Sequence, residues 1–342
     1  MPRIWGARSL APLYPDKTNL AEAIGEAWLT GPTSEIVNGP LTNRTLPDAW
    51  RQMPPEWRGT HFTTSPSSDF PILVKFLFPA DQLSIQVHPD DAYAKTHEAP
   101  DAWGKTEMWH AVSAELGAEL LLGLLPGVTR QAVLDSLKNH TLENLFRRCP
   151  VHSGDSFFVA PGTAHAIGPG VVLCEVQQSS DLTYRLYDFG RTDAKGNPRQ
   201  LHIDKAMDVT AFEKQPTNST CSLPPVVLPS GKDAMKSLLA ACAYFASERW
   251  DLHTVHQTAS DPTRFELLVI LAGNGNIQYP DGSADFKQGE CWFIPASLGN
   301  FSLTPNGSAS ILRTYVPDLP ALRSHLMAQG VPETALQEII FN

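Results

Sequence analysis

The stretch Leu83-Ser84-Ile85-Gln86-Val87-His88-Pro89-Asp90-Asp91 alternates apolar and polar side chains, and an extended chain sends successive side chains to opposite faces. Ile85 and Val87 therefore point into a core, and Gln86 and His88 share the other face. Gly104-Lys105-Thr106-Glu107-Met108-Trp109 repeats the pattern and puts Lys105 beside Glu107. A third segment, Gly154 to His165, reads as a turn, an apolar strand, a second turn and a histidine. Together they constrain the chain to a small β-barrel in which one Gln, two His and one Glu meet. Imidazole nitrogens with carboxylate and amide oxygens form a borderline-soft donor set, suited to zinc and tolerable to iron or manganese. Singly, each residue has a bland explanation, His88 or His165 as a hydrogen-bonded structural histidine and Gln86 as a polar strand residue. Grouped without an ion they leave costly unpaired polar atoms. Metal binding by Gln86, His88, Glu107 and His165 is the economical reading. His110 faces away from Glu107 on the same alternation.

These motifs, with Glu175-Val176-Gln177-Gln178-Ser179-Ser180-Asp181 through Arg185, resemble the type I mannose-6-phosphate isomerases, zinc-dependent cupin proteins, and above all their shorter bacterial members. Weaker matches at Arg3-Ile4-Trp5-Gly6 and Gly25-Glu26-Ala27-Trp28 extend the likeness over most of the first two-thirds of the chain. The resemblance implies a mainly β fold of two cupin-type jelly-roll barrels and one Zn2+ per chain on Gln86, His88, Glu107 and His165. It also implies interconversion of mannose 6-phosphate and fructose 6-phosphate through a cis-enediolate. In this family the positions matching Lys105, Asp181 and Arg185 are implicated in proton transfer, in polarising the sugar oxygens or in holding the substrate, and proposals differ on which is the base. Arg185 stays charged and suits gripping an anion or stabilising the enediolate. Lys105 beside a cation loses part of its preference for the charged form, which suits a base. Asp181 has a capping role in its turn as the alternative. The substrate-gripping serine and lysine of the longer members belong to a helical region this chain lacks, so they are not carried over.

Two other readings compete. A metal-dependent cupin oxygenase uses two His and one carboxylate for a facial iron site, and a sugar-binding regulator keeps the pocket without turnover. A fourth protein ligand and the group Lys105, Asp181 and Arg185 favour the isomerase, and no DNA-reading domain is evident.

The 342 residues divide on this reading into a catalytic domain, 1–235, and a cupin-like domain, 236–342, with a helical insertion at about 127–148. Within that insertion, Thr129 and Thr141 are N-caps of two short amphipathic helices broken near Asn139. Residues 190–235 read as a polar connection with a turn at Asp193 to Pro198. Beyond it, Tyr244-Phe245, Phe265 to Leu271, Asn276 to Tyr279 and Cys291 to Ile294 read as strands, with a hairpin at Gly273-Asn274-Gly275, and Leu319 to Leu326 and Glu333 to Ile340 as helices. Gly289 to Asn300 repeats the grammar of Gly154 to His165 with Asn300 in the place of His165, so the second barrel is expected to hold no metal.

A formal charge of −10 argues against nucleic-acid partners, and it requires that cations be focused in one cleft if the ligand is a sugar phosphate. The start of the chain lacks a signal-peptide run and no apolar span suits a bilayer, which points to a soluble, cytoplasmic protein that is a monomer or a weak homo-oligomer. The five scattered cysteines lack a CxxC pair and read as reduced thiols.

Overall fold

The structure, a computed structural model, describes residues 1–62, 69–192, 196–212 and 221–341. It is mainly β. In chain order the strands of the first half are β1 Pro2–Ala7, β2 Glu26–Trp28, β3 Ile72–Leu77, β4 Ile85–Val87, β5 Glu107–Ala114, β6 Glu119–Leu124, β7 Phe146–Pro150, β8 Ser156–Val159, β9 His165–Ile167, β10 Val171–Gln178 and β11 Tyr184–Tyr187. Those of the second half are β12 Val226–Leu228, β13 Ala234–Ala241, β14 Ala246–Leu252, β15 His256–Ala259, β16 Glu266–Ala272, β17 Asn274–Tyr279, β18 Gly282–Lys287, β19 Cys291–Ile294, β20 Asn300–Pro305 and β21 Ala309–Tyr315. The chain forms two compact units, one of Met1–Pro12, Asp16–Ala27 and Phe76–Ser222, the other of Leu13–Pro15, Trp28–Lys75 and Leu223–Asn342.

In the first unit one sheet runs β11-β4-β9-β6-β7, and β10, β5 and β8 are neighbours in the other. Their facing sides share a core, with Trp109, Ala111, Phe157 and Leu173 from one sheet against Leu120, Leu122 and Ile167 from the other. Ile85 and Val87 point the opposite way, as their alternation predicts. They pack against Val133 of the helix Arg130–Lys138 and Ala206 and Met207 of the helix Ile203–Val209. Gln86 and His88 are thereby turned inward between the sheets.

Local expectations fare unevenly. Thr129 caps its helix by accepting from Ala132 N at 3.2 Å. Thr141 makes no such bond, and the segment after it is a single 3-10 turn, Leu142–Leu145, instead of a second α-helix. The stretch 190–235 is more than a connection, because it contains the helix Ile203–Val209 and β12. Of its expected turn, residues 193–195 lie outside the described residues. Tyr244-Phe245 falls in the bend before β14, where Phe245 is buried by tertiary packing. Gly273 does not close a hairpin. β16 pairs with β21 and β19, and β17 with β20 and β18, so the glycine, at φ +82°, passes the chain from one sheet to another.

The second unit pairs a sheet β12-β13-β14-β21-β16-β19 with a sheet β15-β20-β17-β18 across a core that includes Trp250, Leu268, Ile311, Phe286 and Leu303. β5 pairs with β8 so that Glu107 lies opposite Val159, and β16 pairs with β19 so that Glu266 lies opposite Ile294. β9 opens on His165 and β20 on Asn300. Glu266 thus holds the register place of Glu107. There β21 brings Arg313, whose Nη1 is 3.0 Å from Glu248 Oε2 and whose Nη2 pairs with Glu266. Trp250 Nε1 and Tyr315 Oη each donate to Glu248 at 2.8 Å. Burial pushes the Glu248 carboxyl up, but Arg313 and these donors hold it below the usual carboxylate range.

The cysteines are not all reduced. Cys149 in β7 is bonded to Cys221, with Cα atoms 5.6 Å apart, and Cys174, Cys242 and Cys291 keep their thiols outside any disulfide. A separation of 72 residues leaves no spacing pattern from which the pairing can be read. Denatured protein kept from reductant is expected to titrate three thiols, Cys174, Cys242 and Cys291, and to titrate all five after reduction. Five reactive thiols before reduction would refute the bond.

Candidate metal centre

β4, β5 and β9 converge on one buried point. Gln86 in β4 is in register with His165 in β9, and Glu107 opens β5. His88 follows β4 directly, ahead of Pro89. His88, Glu107 and His165 are each at most 1% exposed, and one donor atom from each lies within 4.8 Å of the others. Gln86 Nε2 is 3.3 Å from His165 Nε2, His88 Nε2 is 3.4 Å from Glu107 Oε1, and His165 Nε2 is 3.7 Å from Glu107 Oε2.

Both imidazoles are aimed by backbone carbonyls. His88 Nδ1 is 2.8 Å from Leu182 O and His165 Nδ1 is 2.8 Å from Thr163 O, which fixes the proton on Nδ1 and leaves the Nε2 lone pairs facing the centre. Burial, reinforced by the Lys105 ammonium, takes the His88 imidazole down to about 3, so it is neutral as a ligand must be. Burial pushes the Glu107 carboxyl up, but the Lys105 ammonium beside it holds it well below the usual range. Apart from the Lys105 ammonium, no hydrogen-bond partner reaches the Glu107 oxygens or His88 Nε2 among the described residues.

This arrangement fits a metal ion. Nitrogen and oxygen ligands about 2.0–2.2 Å from a tetrahedral zinc stand roughly 3.4 Å apart, and the donor separations of 3.3, 3.4 and 3.7 Å straddle that value. The Gln86 amide stands beside these donors, and its oxygen would face them after a half-turn that exchanges it with the nitrogen.

The other expected site residues take different positions. Lys105 is 3% exposed, with Nζ 2.7 Å from Glu107 Oε1 and 4.0 Å from Glu175 Oε1. Arg185 in β11 lies opposite Gln86, and its Nε donates to Ser84 Oγ at 3.1 Å. Asp181 is exposed in the loop before β11 and is not drawn into the buried group. His110 turns away from Glu107 toward Ser156 Oγ at 3.0 Å, as the alternation requires.

Several residues that the sequence motifs contain, but to which no site role was given, frame the centre. Glu175 accepts from Trp109 Nε1 at 3.1 Å, and Gln177 lies opposite Glu107 in the β10–β5 register. Polar residues in a strand buried at every position were the signal available for both. Asp90 caps the helix Asp91–His97 by accepting from Tyr93 N at 2.8 Å. Asp91 Oδ1 accepts from Gly104 N at 2.8 Å and from Gln178 Nε2 at 2.9 Å, which ties three motifs together. A Cβ at Gly104 would stand 2.5 Å from the Asp90 carbonyl carbon, so the close approach requires glycine. Replacing Asp91 with Ala is expected to cost about 1–3 kcal/mol by stranding those donors. Urea unfolding reads this, and an unchanged midpoint would show that the ties carry no stability.

Sheets of this order with a buried His-Glu-His group define a mainly β protein of the cupin class. Residues 234–316 match the family described as mannose-6-phosphate isomerase, cupin domain, and residues 3–116 match phosphomannose isomerase type I, catalytic domain. Mannose-6-phosphate isomerase ManA of Bacillus subtilis is 33% identical over 305 residues, 88% of this chain and 92% of that protein. The mannose-6-phosphate isomerase of Streptococcus mutans is 32% identical over 320 residues, 92% of this chain and 95% of that one. The crystal structure of the Bacillus subtilis mannose 6-phosphate isomerase superposes with a TM-score of 0.81 at 28% identity, covering 92% of this chain and 96% of that one. The chain belongs to the type I mannose-6-phosphate isomerase family. Among the described residues no helix is long and apolar enough to cross a membrane.

Proposed function

We propose that this isomerase interconverts mannose 6-phosphate and fructose 6-phosphate by proton transfer through a cis-enediolate, with Zn2+ held by Gln86, His88, Glu107 and His165. The spacing of those donors is the observation that carries the metal, and kinship with proteins named for this reaction supports it over the oxygenase and regulator readings. When bound, the ion supplies a fixed positive charge beside the sugar oxygens on which negative charge develops.

The side chains divide the remaining work. Lys105 is assigned the proton that leaves C2 of the open-chain aldose and returns at C1. It is buried beside Glu107, which keeps Nζ in the centre. Arg185 keeps its charge and stabilises the enediolate. Asp181, exposed in the loop before β11, is assigned to holding the sugar. In the same proposal residues 1–235 are the catalytic cupin barrel with its helical insertion at about 127–148, residues 236–342 are a cupin-like barrel without metal ligands, and the protein works in the cytoplasm.

Metal analysis of untreated protein, with a coupled assay of mannose 6-phosphate conversion before and after chelation, tests this directly. Near one zinc per chain and activity that falls with chelation and returns with zinc are expected. Iron with oxygen uptake and no hexose-phosphate conversion would favour the oxygenase. Lys105→Ala and Arg185→Ala are each expected to retain zinc while losing about 100-fold or more of kcat, and full activity in either variant would remove that residue from the chemistry.

A further inference from the structure

Beside the centre, guanidinium groups gather around one buried carboxylate. Arg185 Nε donates to Ser84 Oγ, which is 3.4 Å from Gln86 Oε1, so Arg185 stands two hydrogen-bond steps from a proposed metal ligand. Past the end of β11, Asp188 is 5% exposed and gripped from two sides. Arg191 Nη2 reaches its Oδ1 at 2.6 Å, and Arg199 engages both oxygens, with Nε 2.7 Å from Oδ2. Arg185 Nη1 donates to the carbonyl of Gln200, the residue after Arg199, at 2.9 Å, and burial and repulsion from Arg199 lower its pKa although Asp188 raises it.

The balance of charge here is the reverse of the molecule's. In a chain of formal charge −10, Arg185, Arg191 and Arg199 meet the buried Asp188 and the exposed Asp81, which takes Arg191 at 3.2 Å. The lysine of the adjoining helix, Lys205, is matched by Glu98 at 2.7 Å and adds nothing to the surplus. Arg199 also lines a cavity of about 450 Å3 in which Arg3 and Arg8 outnumber the one acidic residue, Glu22, and its side chain remains 24% exposed. A guanidinium whose orientation a buried carboxylate fixes, and which still reaches solvent, is pre-organised to receive a phosphate.

An open-chain hexose phosphate carries its reacting carbons at one end and its phosphate at the other. A site that engages both ends needs an anion holder displaced from the metal, beyond Lys105 and Arg185. We propose that Arg199, held by Asp188 beside Arg185, binds the 6-phosphate of the substrate. This rests on the isomerase reading, and it makes Arg199 a residue that sets specificity for phosphorylated sugar.

Arg199→Gln is expected to raise KM for mannose 6-phosphate about 10- to 100-fold, the loss of one charge-assisted contact. Turnover at saturation falls far less than KM rises, and the preference for mannose 6-phosphate over mannose shrinks by the same order. Competitive inhibition by inorganic phosphate weakens in parallel. Arg199→Lys, which keeps a charge but not the paired contact with Asp188, recovers part of KM. An unchanged KM in Arg199→Gln overturns the proposal, as do equal losses of kcat and melting temperature in both variants, which assign Arg199 to holding Asp188. Should the unaltered protein convert no mannose 6-phosphate, the isomerase reading fails by itself. Calorimetric titration with inorganic phosphate then decides the anion site: binding lost in Arg199→Gln sustains it, and identical binding or none removes it.

Discussion

The Glu107 carboxylate, 1% exposed, keeps its charge in the folded protein because the Lys105 ammonium stands 2.7 Å from it. A buried charge of that kind is expensive unless opposite charge meets it. Most of the first unit's polar detail follows from this demand. Leu182 and Thr163 offer carbonyls that turn the imidazoles inward. Asp91 ties the segment carrying His88 to the one carrying Lys105 and to β10. Ile85 and Val87 anchor β4 from behind, so that Gln86 and His88 have no other face to occupy.

Much of this centre was legible in the sequence because it rests on the period of two. Gln86 and His88 alternate with residues that had to be core, and Glu107 alternates with His110 in the same way. That logic is local and survives folding unchanged. The strand–turn–strand grammar shared by Gly154 to His165 and Gly289 to Asn300 was readable for the same reason, since it lies in glycines and apolar strand residues close together in the chain.

What was not legible depends on partners far away in sequence. Glu175 and Gln177 acquire their places only when β10 pairs with β5. Gly273 has every mark of a tight turn between paired strands, but which sheet each strand joins is decided by β21, β19, β20 and β18. Phe245 reads as a strand residue, yet burial holds it in a bend. Cys149 and Cys221 carry no spacing signal at all. The helix Ile203–Val209 is short, and the polar residues on either side concealed the apolar face that it turns to β4.

The guanidinium of Arg313, seated between Glu248 and Glu266, is a cation the polypeptide carries with it. An ion drawn from solution stabilises a fold by an amount that rises and falls with its free concentration. A covalently attached one is present at a constant one per chain. The later sheets therefore carry their own cation against Glu248 and Glu266, whatever the supply of free ions, whereas any stability that an ion lent to Glu107 would vary with that ion's concentration.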